Sequence, residues 1–234
     1  MKLLIILLSI LFLPTFSQAK SESPTVTKEE FLDTTLFMPA PPTLDSYLMT
    51  NDRAKYEEGL TLRSTPRGVQ ASLDADLKNC PKLFSEAFGM EISEQNTPEL
   101  YKLMQFAFYY VDKYPTKKAK KKYMRVRPYV LYQTNTCYKP DEEHLRTNGS
   151  YPSGHSSTAW GYALILAEIN PARKDAILKR GYDMGQSRVI CGYHWQSDVD
   201  AARVGVSAAV AILHSNPEFL KLLQKAKEEI LSKK

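Results

Sequence analysis

The sequence predicts an all-α protein, a compact single-domain helical bundle. Alternation of apolar and polar residues with a period of two, which marks strands, is almost absent, whereas several segments carry apolar residues at the spacing of an amphipathic helix. Two Asn-Pro pairs, Asn170-Pro171 and Asn216-Pro217, combine a helix-capping residue with a proline suited to the first helical position. The 234 residues contain no internal repeat and no second domain boundary, so one core is expected.

The first segment, residues 1–19, has the pattern of a secretory signal peptide. It contains one early lysine, an apolar run from Leu3 to Leu13, and Ser17-Gln18-Ala19 as a small-x-small cleavage pattern. The apolar run is well short of the roughly 20 residues that span a bilayer, which argues against a membrane anchor. We therefore expect export to a periplasm or to the medium, and no stable membrane insertion of the mature chain.

Residues 20–48 are rich in Ser, Thr and Pro and are predicted to form an extended N-terminal arm. The helical domain is expected to occupy residues 49–234. Its first helices are predicted over residues 44–62, which overlap the end of the arm, and over residues 67–77.

A stronger helix signal begins at Thr97-Pro98, where Thr suits the N-cap and Pro the first helical position. Its apolar stripe consists of Leu100, Leu103, Met104, Ala107 and Val111. The two Asn-Pro pairs predict helices that start near Ala172 and Glu218. Between them, helical spacing predicts a helix over residues 198–213, with Ser197 as its N-cap.

The charge of the chain is mildly positive. Loss of residues 1–19 removes Lys2 and no acidic residue, so the 31 basic residues become 30 against 26 acidic ones, a net charge of +4. Much of the positive charge lies in the run from Lys117 to Arg125, most of which we interpret as a solvated helix face. One basic run without a zinc-finger spacing or an aromatic platform does not indicate nucleic-acid binding.

The three cysteines, Cys80, Cys137 and Cys191, allow one disulfide and one free thiol in an exported chain. The sequence does not select the pair. Cys137 with Cys191 is preferred because both flank segments that must converge if the phosphate site described next exists. None of the cysteines has CxxC spacing, so a cysteine zinc site is not expected.

Two cations precede a proline in Lys120-x6-Arg127-Pro128. On one continuous helix, the seven-residue spacing would place both side chains on one face, about 10 Å apart along the axis, where they could bind one anion. Pro128 is expected to end that helix. Lysine-rich helices contain many such spacings by chance, so the pair alone is a weak indication.

A turn, Pro152-Ser153-Gly154-His155, precedes a helix-like run. A helix N-terminus binds anions through its free N–H groups and its dipole. Gly154 lets the backbone approach a phosphate closely, and Ser153 can add a hydroxyl donor. An ordinary N-cap role for Ser153 is compatible with this function.

A third segment, Ser187-Arg188-x5-His194-x3-Asp198, supplies a candidate nucleophile. If the turn is helical, His194 and Asp198 are neighbours on its face, and an aspartate that accepts from one imidazole nitrogen leaves the other free to attack phosphorus. Arg188 brings a planar fork of donors suited to phosphoryl oxygens. A single His-x3-Asp pair is common and means little by itself.

The other two histidines are interpreted as structural: His144 lies in an acidic loop and His214 at the end of an apolar helix. No His-Glu-x-x-His motif or carboxylate cluster accompanies the histidines. Three cations are already available to neutralise a phosphate, so neither a metal nor another cofactor is expected.

These three segments, in this order, resemble the signature of the type 2 phosphatidic acid phosphatase and vanadium haloperoxidase superfamily. Within it, the stretch from Gly149 to Ser156 is similar to the pattern of the bacterial class A non-specific acid phosphatases, and the resemblance extends from about Thr97 to the C-terminus. One difference is that Ser156 stands where many class A sequences have Thr. The sequence thus resembles that of an exported acid phosphatase.

The resemblance implies roles for individual residues. His194 would attack phosphorus to form a phosphohistidine, Asp198 would orient it, and His155 would protonate the leaving alcohol and then activate water. The phosphoryl oxygens would be bound by Lys120, Arg127, Ser153, Gly154 and Arg188. The required protonation states of the two histidines predict a bell-shaped rate profile on the acidic side of neutral.

The resemblance also implies broad use of phosphomonoesters, including nucleotides and sugar and aryl phosphates, without a metal. It favours a homo-oligomer, with a dimer as the expected form. The physiological substrate and the balance between hydrolysis and phosphotransfer to alcohols are left open. Two other functions remain as alternatives: a vanadate-dependent haloperoxidase, whose members are usually considerably longer, and an exported phosphate- or nucleotide-binding protein without turnover.

Overall fold

The computed structural model describes residues 31–233, apart from the side chain of Lys78. The predicted signal peptide and residues 20–30 of the predicted arm lie outside this range. Within it the chain has helices and no strand, as the sequence predicted. The α-helices are α1 (Leu48–Leu62), α2 (Pro66–Leu73), α3 (Cys80–Leu83), α4 (Ser85–Phe88), α5 (Pro98–Asp112), α6 (Lys117–Tyr123), α7 (Pro128–Leu131), α8 (Glu142–Arg146), α9 (Gly154–Ile169), α10 (Lys174–Ile190), α11 (Gln196–Leu213) and α12 (Pro217–Ser232).

Helix α9 lies at the centre of the bundle. It packs against α10, α11 and α5, and α12 covers the outer side of α5. Two glycines bring the helices close together: a Cβ on Gly181 of α10 would lie 2.4 Å from Cβ of Ala163, and one on Gly161 of α9 would lie 2.5 Å from Cγ1 of Val111. The central helix is therefore held between neighbours on several sides.

The helix starts confirm part of the sequence prediction. Helix α5 begins at Pro98 and buries the whole predicted stripe. The Thr97 side chain does not cap it, because its hydroxyl is bonded to Ser93, and Glu229 of α12 accepts from the N–H of Leu100 at 3.0 Å instead. Asn216 does cap α12, since its Oδ1 accepts from the N–H groups of Glu218 and Phe219.

Other predicted bounds are wrong by a few residues. Helix α1 begins at Leu48 and not at Leu44, and α2 ends at Leu73. Helix α10 starts at Lys174, because a 3-10 turn, Pro171–Arg173, follows Asn170. Helix α11 starts at Gln196 with Trp195 as its N-cap residue, so Ser197 lies in the first turn of the helix.

Residues 31–48 of the predicted arm are described, and they contain one 3-10 turn, Thr34–Leu36, and no α-helix before Leu48, which begins α1. This part of the arm lies against the body of the protein. The Thr34 hydroxyl donates to the carbonyl of Pro115 at 3.1 Å, and the Tyr151 hydroxyl donates to the carbonyl of Pro39 at 2.6 Å. The arm therefore contacts the segments that lead into α6 and α9.

Two further features bear on the site. Cys137 and Cys191 form a disulfide, the pairing preferred from the sequence, and Cys80 is a buried free thiol. Among residues 31–233, no helix is long and apolar enough to cross a membrane.

Candidate active site

The three predicted segments converge at one pocket of about 350 Å³ near the N-terminus of α9. Its wall includes four of the predicted site side chains, the Gly154 backbone and several residues that were not predicted. The lining residues are Leu77, Asp112, Lys113, Thr116, Lys117, Lys120, Arg127, His144, Leu145, Asn148, Gly154, His155 and His194.

Lys120 and Arg127 reach this pocket from different elements, so the prediction that both lie on one helix is wrong. Helix α6 ends after Tyr123, and Met124 adopts a left-handed backbone conformation with φ 41°. The chain then runs extended to Arg127, and Pro128 begins α7 instead of ending a helix. The turn at Met124 redirects the chain so that both cations still reach the same pocket.

Backbone carbonyls hold both cations. The Lys120 Nζ donates to the carbonyl of Gly149 at 2.8 Å. The Arg127 Nε donates to the carbonyls of Leu145 and Asn148, both at 3.0 Å, and its Nη1 donates to that of Tyr193 at 3.1 Å. Carbonyls orient a cation without supplying a counter-charge, so these contacts leave both side chains able to bind an anion.

Arg188 is completely buried, and none of its side-chain nitrogens has a hydrogen-bond partner among the described residues. Its guanidinium carbon lies 4.2 Å from the centre of the Tyr193 ring. Burial lowers the pKa of Arg188 to about 10. Burying a charged group without a partner costs several kcal/mol, so this guanidinium is suited to an anionic ligand.

The N-terminus of α9 lies at the wall of the pocket, where its free N–H groups could bind an anion. Ser153 is the N-cap residue, and its Oγ accepts from the N–H of Ser156 at 3.3 Å and from the Ser156 hydroxyl at 2.8 Å. Because Ser153 accepts both bonds, its own hydroxyl hydrogen is available to a ligand. A Cβ on Gly154 would lie 3.0 Å from the Asp112 carboxylate, so a larger residue would crowd this wall.

His194 is almost fully buried in the turn that precedes α11. Its Nε2 lies 2.9 Å from the Arg127 Nη1. A guanidinium can only donate, so Nε2 is the nitrogen without a hydrogen. The neutral ring then carries its hydrogen on Nδ1, which lies 3.3 Å from Oδ2 of Asp198. This tautomer has the lone pair on the nitrogen that faces the cations.

Asp198 lies in the first turn of α11 and is completely buried. Its Oδ2 also accepts from the N–H of Trp195 at 2.9 Å and forms a short hydrogen bond with the Ser150 hydroxyl. The pair of His194 and Asp198 is thus in contact as predicted, although the histidine lies before the helix and not on its face.

His155, in the first turn of α9, has its Nε2 3.0 Å from the carbonyl of Ala75. A carbonyl can only accept, so this nitrogen carries the hydrogen. Any proton that His155 exchanges with a ligand must therefore involve its other nitrogen, Nδ1.

Burial and nearby cations control the charge of the site. Burial, followed by Arg127, Lys120 and Arg188, holds the pKa of His194 well below its usual value. Burial, followed by Arg188, does the same for His155. Burial, followed by Arg127, holds the pKa of Lys120 well below that of a free lysine. In the absence of an anion, burial and the cations therefore favour the neutral form of both histidines.

Several residues of the site were missed or misinterpreted in the sequence. Ser150 contacts the His194 and Asp198 pair, and it lies two residues before the predicted turn. Asp112, whose pKa is raised by burial, lines the pocket from the last residue of α5. Arg125 was counted with the solvated lysine run, yet it is bonded to Asp198. His144, which was interpreted as structural, lines the pocket from α8, whereas His214 lies away from the pocket and contacts Glu168.

The described residues hold no group of three or more His, Cys, Asp or Glu side chains arranged to bind a metal ion. The pocket is instead lined by Lys120, Arg127 and a helix N-terminus, with Arg188 buried near His155 and His194. The fold and the site together define an all-α protein with a cation-lined pocket, in which the Nε2 of a buried histidine faces an arginine.

Comparison with known proteins identifies the family. A family model described as the PAP2 superfamily matches residues 102–220, and the chain belongs to this superfamily. A non-specific acid phosphatase from Providencia stuartii is 54% identical over 200 residues, which cover 85% of this chain and 81% of that protein. A non-specific acid phosphatase from Salmonella typhimurium is 39% identical over 230 residues, or 96% of this chain and 92% of that protein. Within the superfamily, these similarities support the class A non-specific acid phosphatases, as the sequence resemblance indicated.

Proposed function

We propose that this acid phosphatase is an exported, metal-independent enzyme that hydrolyses a broad range of phosphomonoesters through a phosphohistidine intermediate. The observation that carries the mechanism is the state of His194: its free Nε2 faces Arg127, and its Nδ1 faces the Asp198 carboxylate. A nucleophile that is oriented by a carboxylate and surrounded by cations is the arrangement that covalent phosphoryl transfer requires.

In the first step, the phosphoryl group takes the place in front of Nε2 that the Arg127 Nη1 occupies in the free protein. The Nε2 lone pair forms a bond to phosphorus as the bond between phosphorus and the ester oxygen breaks. Lys120, Arg127, Arg188, the Ser153 hydroxyl and the N-terminal amides at Gly154 bind the phosphoryl oxygens. The positive charge that develops on the imidazole is stabilised by Asp198 across the Nδ1 hydrogen.

His155 supplies the proton for the leaving alcohol. Because its Nε2 hydrogen is bonded to Ala75, the transferred proton comes from Nδ1. In the second step the same nitrogen takes a proton from water, and the water oxygen attacks phosphorus and breaks the bond to Nε2. Phosphate leaves and His194 is regenerated. An alcohol that replaces this water would be phosphorylated instead, which is the basis of a phosphotransferase side activity.

Export is supported by the pattern of residues 1–19 and by the Cys137–Cys191 disulfide, a bond typical of oxidising compartments. A homo-oligomer remains part of the proposal. Large apolar side chains of the arm and the start of α1, among them Leu36, Tyr47 and Leu48, are exposed and could be covered by a second copy.

The test compares His194→Ala with the unaltered protein in the release of phosphate from p-nitrophenyl phosphate at pH 6 in excess EDTA. We expect turnover that resists the chelator and falls by at least about 10⁴-fold in the variant, because the nucleophile is lost. His214→Ala, which alters a histidine outside the pocket, serves as the matched control and should retain activity.

Acid-quenched and base-quenched samples of the unaltered enzyme should in addition show phosphate bound to histidine, which is acid-labile and base-stable. Turnover retained by His194→Ala, or lost in EDTA and restored by a metal, would refute the proposed mechanism. Absence of hydrolysis together with halide oxidation after addition of vanadate and peroxide would support the haloperoxidase alternative.

A further inference from the structure

Arg125 lies between two buried carboxylates, only one of which belongs to the site described above. Its Nη1 donates to Oδ1 of Asp198, and its Nη2 donates to Oδ2 of Asp52, both at 2.7 Å. The exposed side-chain fractions are 7% for Arg125, 1% for Asp52 and 0% for Asp198. These three charges therefore interact with little screening by water.

Ser197 contacts both Asp52 and Arg125, so the three residues form a closed ring of hydrogen bonds. Its N–H donates to Oδ1 of Asp52 at 2.8 Å, its hydroxyl donates to Oδ2 of Asp52 at 2.5 Å, and its Oγ accepts from Arg125 at 2.7 Å. Asp52 lies on α1 and Ser197 in the first turn of α11. The ring thus connects α1 to the turn of α11 that carries Asp198.

The charge balance indicates why two carboxylates are present. Arg125 alone would neutralise Asp198, whereas Asp52 offsets Arg125 and leaves the group of three with a net negative charge beside His194. The groups that face His194 from the other side are cationic or neutral: Arg127, Lys120, Arg188 and His155. The group of Asp52, Arg125 and Asp198 supplies the compensating negative charge when His194 becomes positively charged on attack.

We propose that Asp52 and Arg125 are positioning residues for the reaction, which hold Asp198 against His194 and maintain the negative charge on that side of the nucleophile. This inference rests on the proposed role of His194. Asp52 lies outside residues 102–220, the part matched by the family model, and Arg125 is two residues from a predicted phosphate ligand. The pair makes α1 part of the catalytic machinery.

The test uses Asp52→Asn and Arg125→Met. Asparagine keeps the shape of Asp52 and removes its charge, and methionine suits the surroundings of Arg125, which include Met49 and the Trp195 ring. We expect kcat to fall by about 10- to 100-fold in each variant, because the nucleophile is misplaced or less activated. Inhibition by vanadate should change by less than about threefold, since neither residue lines the phosphate pocket.

The sign of a pH shift distinguishes this role from a structural one. Loss of a negative charge disfavours protonation of His194, so the acidic limb of kcat/KM should move to lower pH in Asp52→Asn. Loss of a positive charge should move it to higher pH in Arg125→Met. In each variant, the acidic limb of kcat/KM is expected to move by roughly half a pH unit to one pH unit. Asp200→Asn, at a more exposed carboxylate of α11 paired with Arg203, is the matched control and should show neither effect.

A full kcat for Asp52→Asn would overturn the proposal. So would a loss of kcat accompanied by an equal loss of vanadate inhibition and no shift of the acidic limb, because that pattern is a general distortion of the pocket. If Arg125→Met does not fold, Asp52→Asn decides the question alone. An active His194→Ala would instead refute the proposed nucleophile, which is a separate failure.

Discussion

The two site histidines differ in which nitrogen carries a hydrogen, and single contacts account for the difference. Arg127 can only donate a hydrogen bond, so Nε2 of His194 carries no hydrogen. The Ala75 carbonyl can only accept one, so Nε2 of His155 does carry a hydrogen. This difference fits the proposed roles, in which His194 is the nucleophile and His155 exchanges protons through Nδ1. Both assignments follow from backbone and guanidinium contacts that involve no ligand.

Binding of a dianion should be coupled to proton uptake. Burial and cations hold the pKa of both histidines well below the usual value, which favours their neutral forms in the free protein. A bound dianion offsets the cations and raises the pKa values, and protons are then taken up. We expect about one proton per site for tungstate, a tetrahedral dianion that does not itself titrate at this pH.

The measurement is calorimetric titration at pH 6 in buffers with different ionisation enthalpies. The apparent binding enthalpy should vary with the buffer, and His155→Asn should remove most of the variation. An enthalpy that is independent of the buffer in the unaltered enzyme would contradict the coupling. The same coupling explains how His155 acquires the proton that the predicted acidic rate profile requires.

Much of the site could be predicted because its residues belong to short segments with fixed spacing. Five of the eight predicted residues line the pocket, Asp198 contacts His194, and Arg188 is close enough to lower the pKa of both histidines. Asp52 and Arg125 could not be predicted in the same way. Their function depends on a contact between α1 and α11, and an isolated Asp or Arg in a charged segment gives no sign of such a contact.

At the level of helices, capping residues and prolines predicted where a helix starts more accurately than where it ends. The Asn216-Pro217 pair marked the start of α12 correctly because its cap bonds are local. The end of α6 was missed because Met124 takes a left-handed conformation that is uncommon for a residue other than glycine, so nothing in the local sequence predicts it. Similarly, the cap of α5 comes from Glu229 of a distant helix.

The close contact between α9 and α10 predicts a size limit at Gly181. A Cβ there would lie 2.4 Å from Cβ of Ala163 and 2.9 Å from the carbonyl oxygen of Ala159. Gly181→Ala should therefore lower the free energy of unfolding by about 1–3 kcal/mol, although alanine favours a helix. Gly205→Ala is the matched control, because the nearest atom to its Cβ would be the Sδ of Met38 at 3.3 Å, which can shift.

Urea unfolding monitored by circular dichroism measures the free energy of unfolding of both variants. The prediction fails if Gly181→Ala is as stable as Gly205→Ala. Since α9 also carries Gly154 and His155, the destabilised variant should lose activity at a lower temperature than the control.

For the molecule as a whole, the Cys137–Cys191 disulfide joins two parts of the chain separated by 54 residues and lies three residues before His194. A cross-link over a loop of this length should stabilise the folded protein by about 4 kcal/mol through loss of entropy in the unfolded chain. Reduction of the disulfide should therefore lower the free energy of unfolding by about 4 kcal/mol.

Denaturant unfolding with and without a thiol reductant tests this prediction, and Cys137→Ala provides a control that should no longer respond to the reductant. In the folded protein, burial raises the pKa of the Cys80 thiol to about 12 and keeps it unreactive. An unaltered protein whose stability is insensitive to complete reduction would contradict the expectation.

The distribution of the site along the chain also determines when activity can begin during synthesis. The charged ring begins at Asp52, the cations follow in α6 and before α7, and the nucleophile and its carboxylate are translated last, at the start of α11. A nascent chain that has not reached α11 has no nucleophile, and an unfolded chain has no cation cluster. For a chain that is exported as proposed and folds only after translocation, hydrolysis therefore starts only outside the cytoplasm.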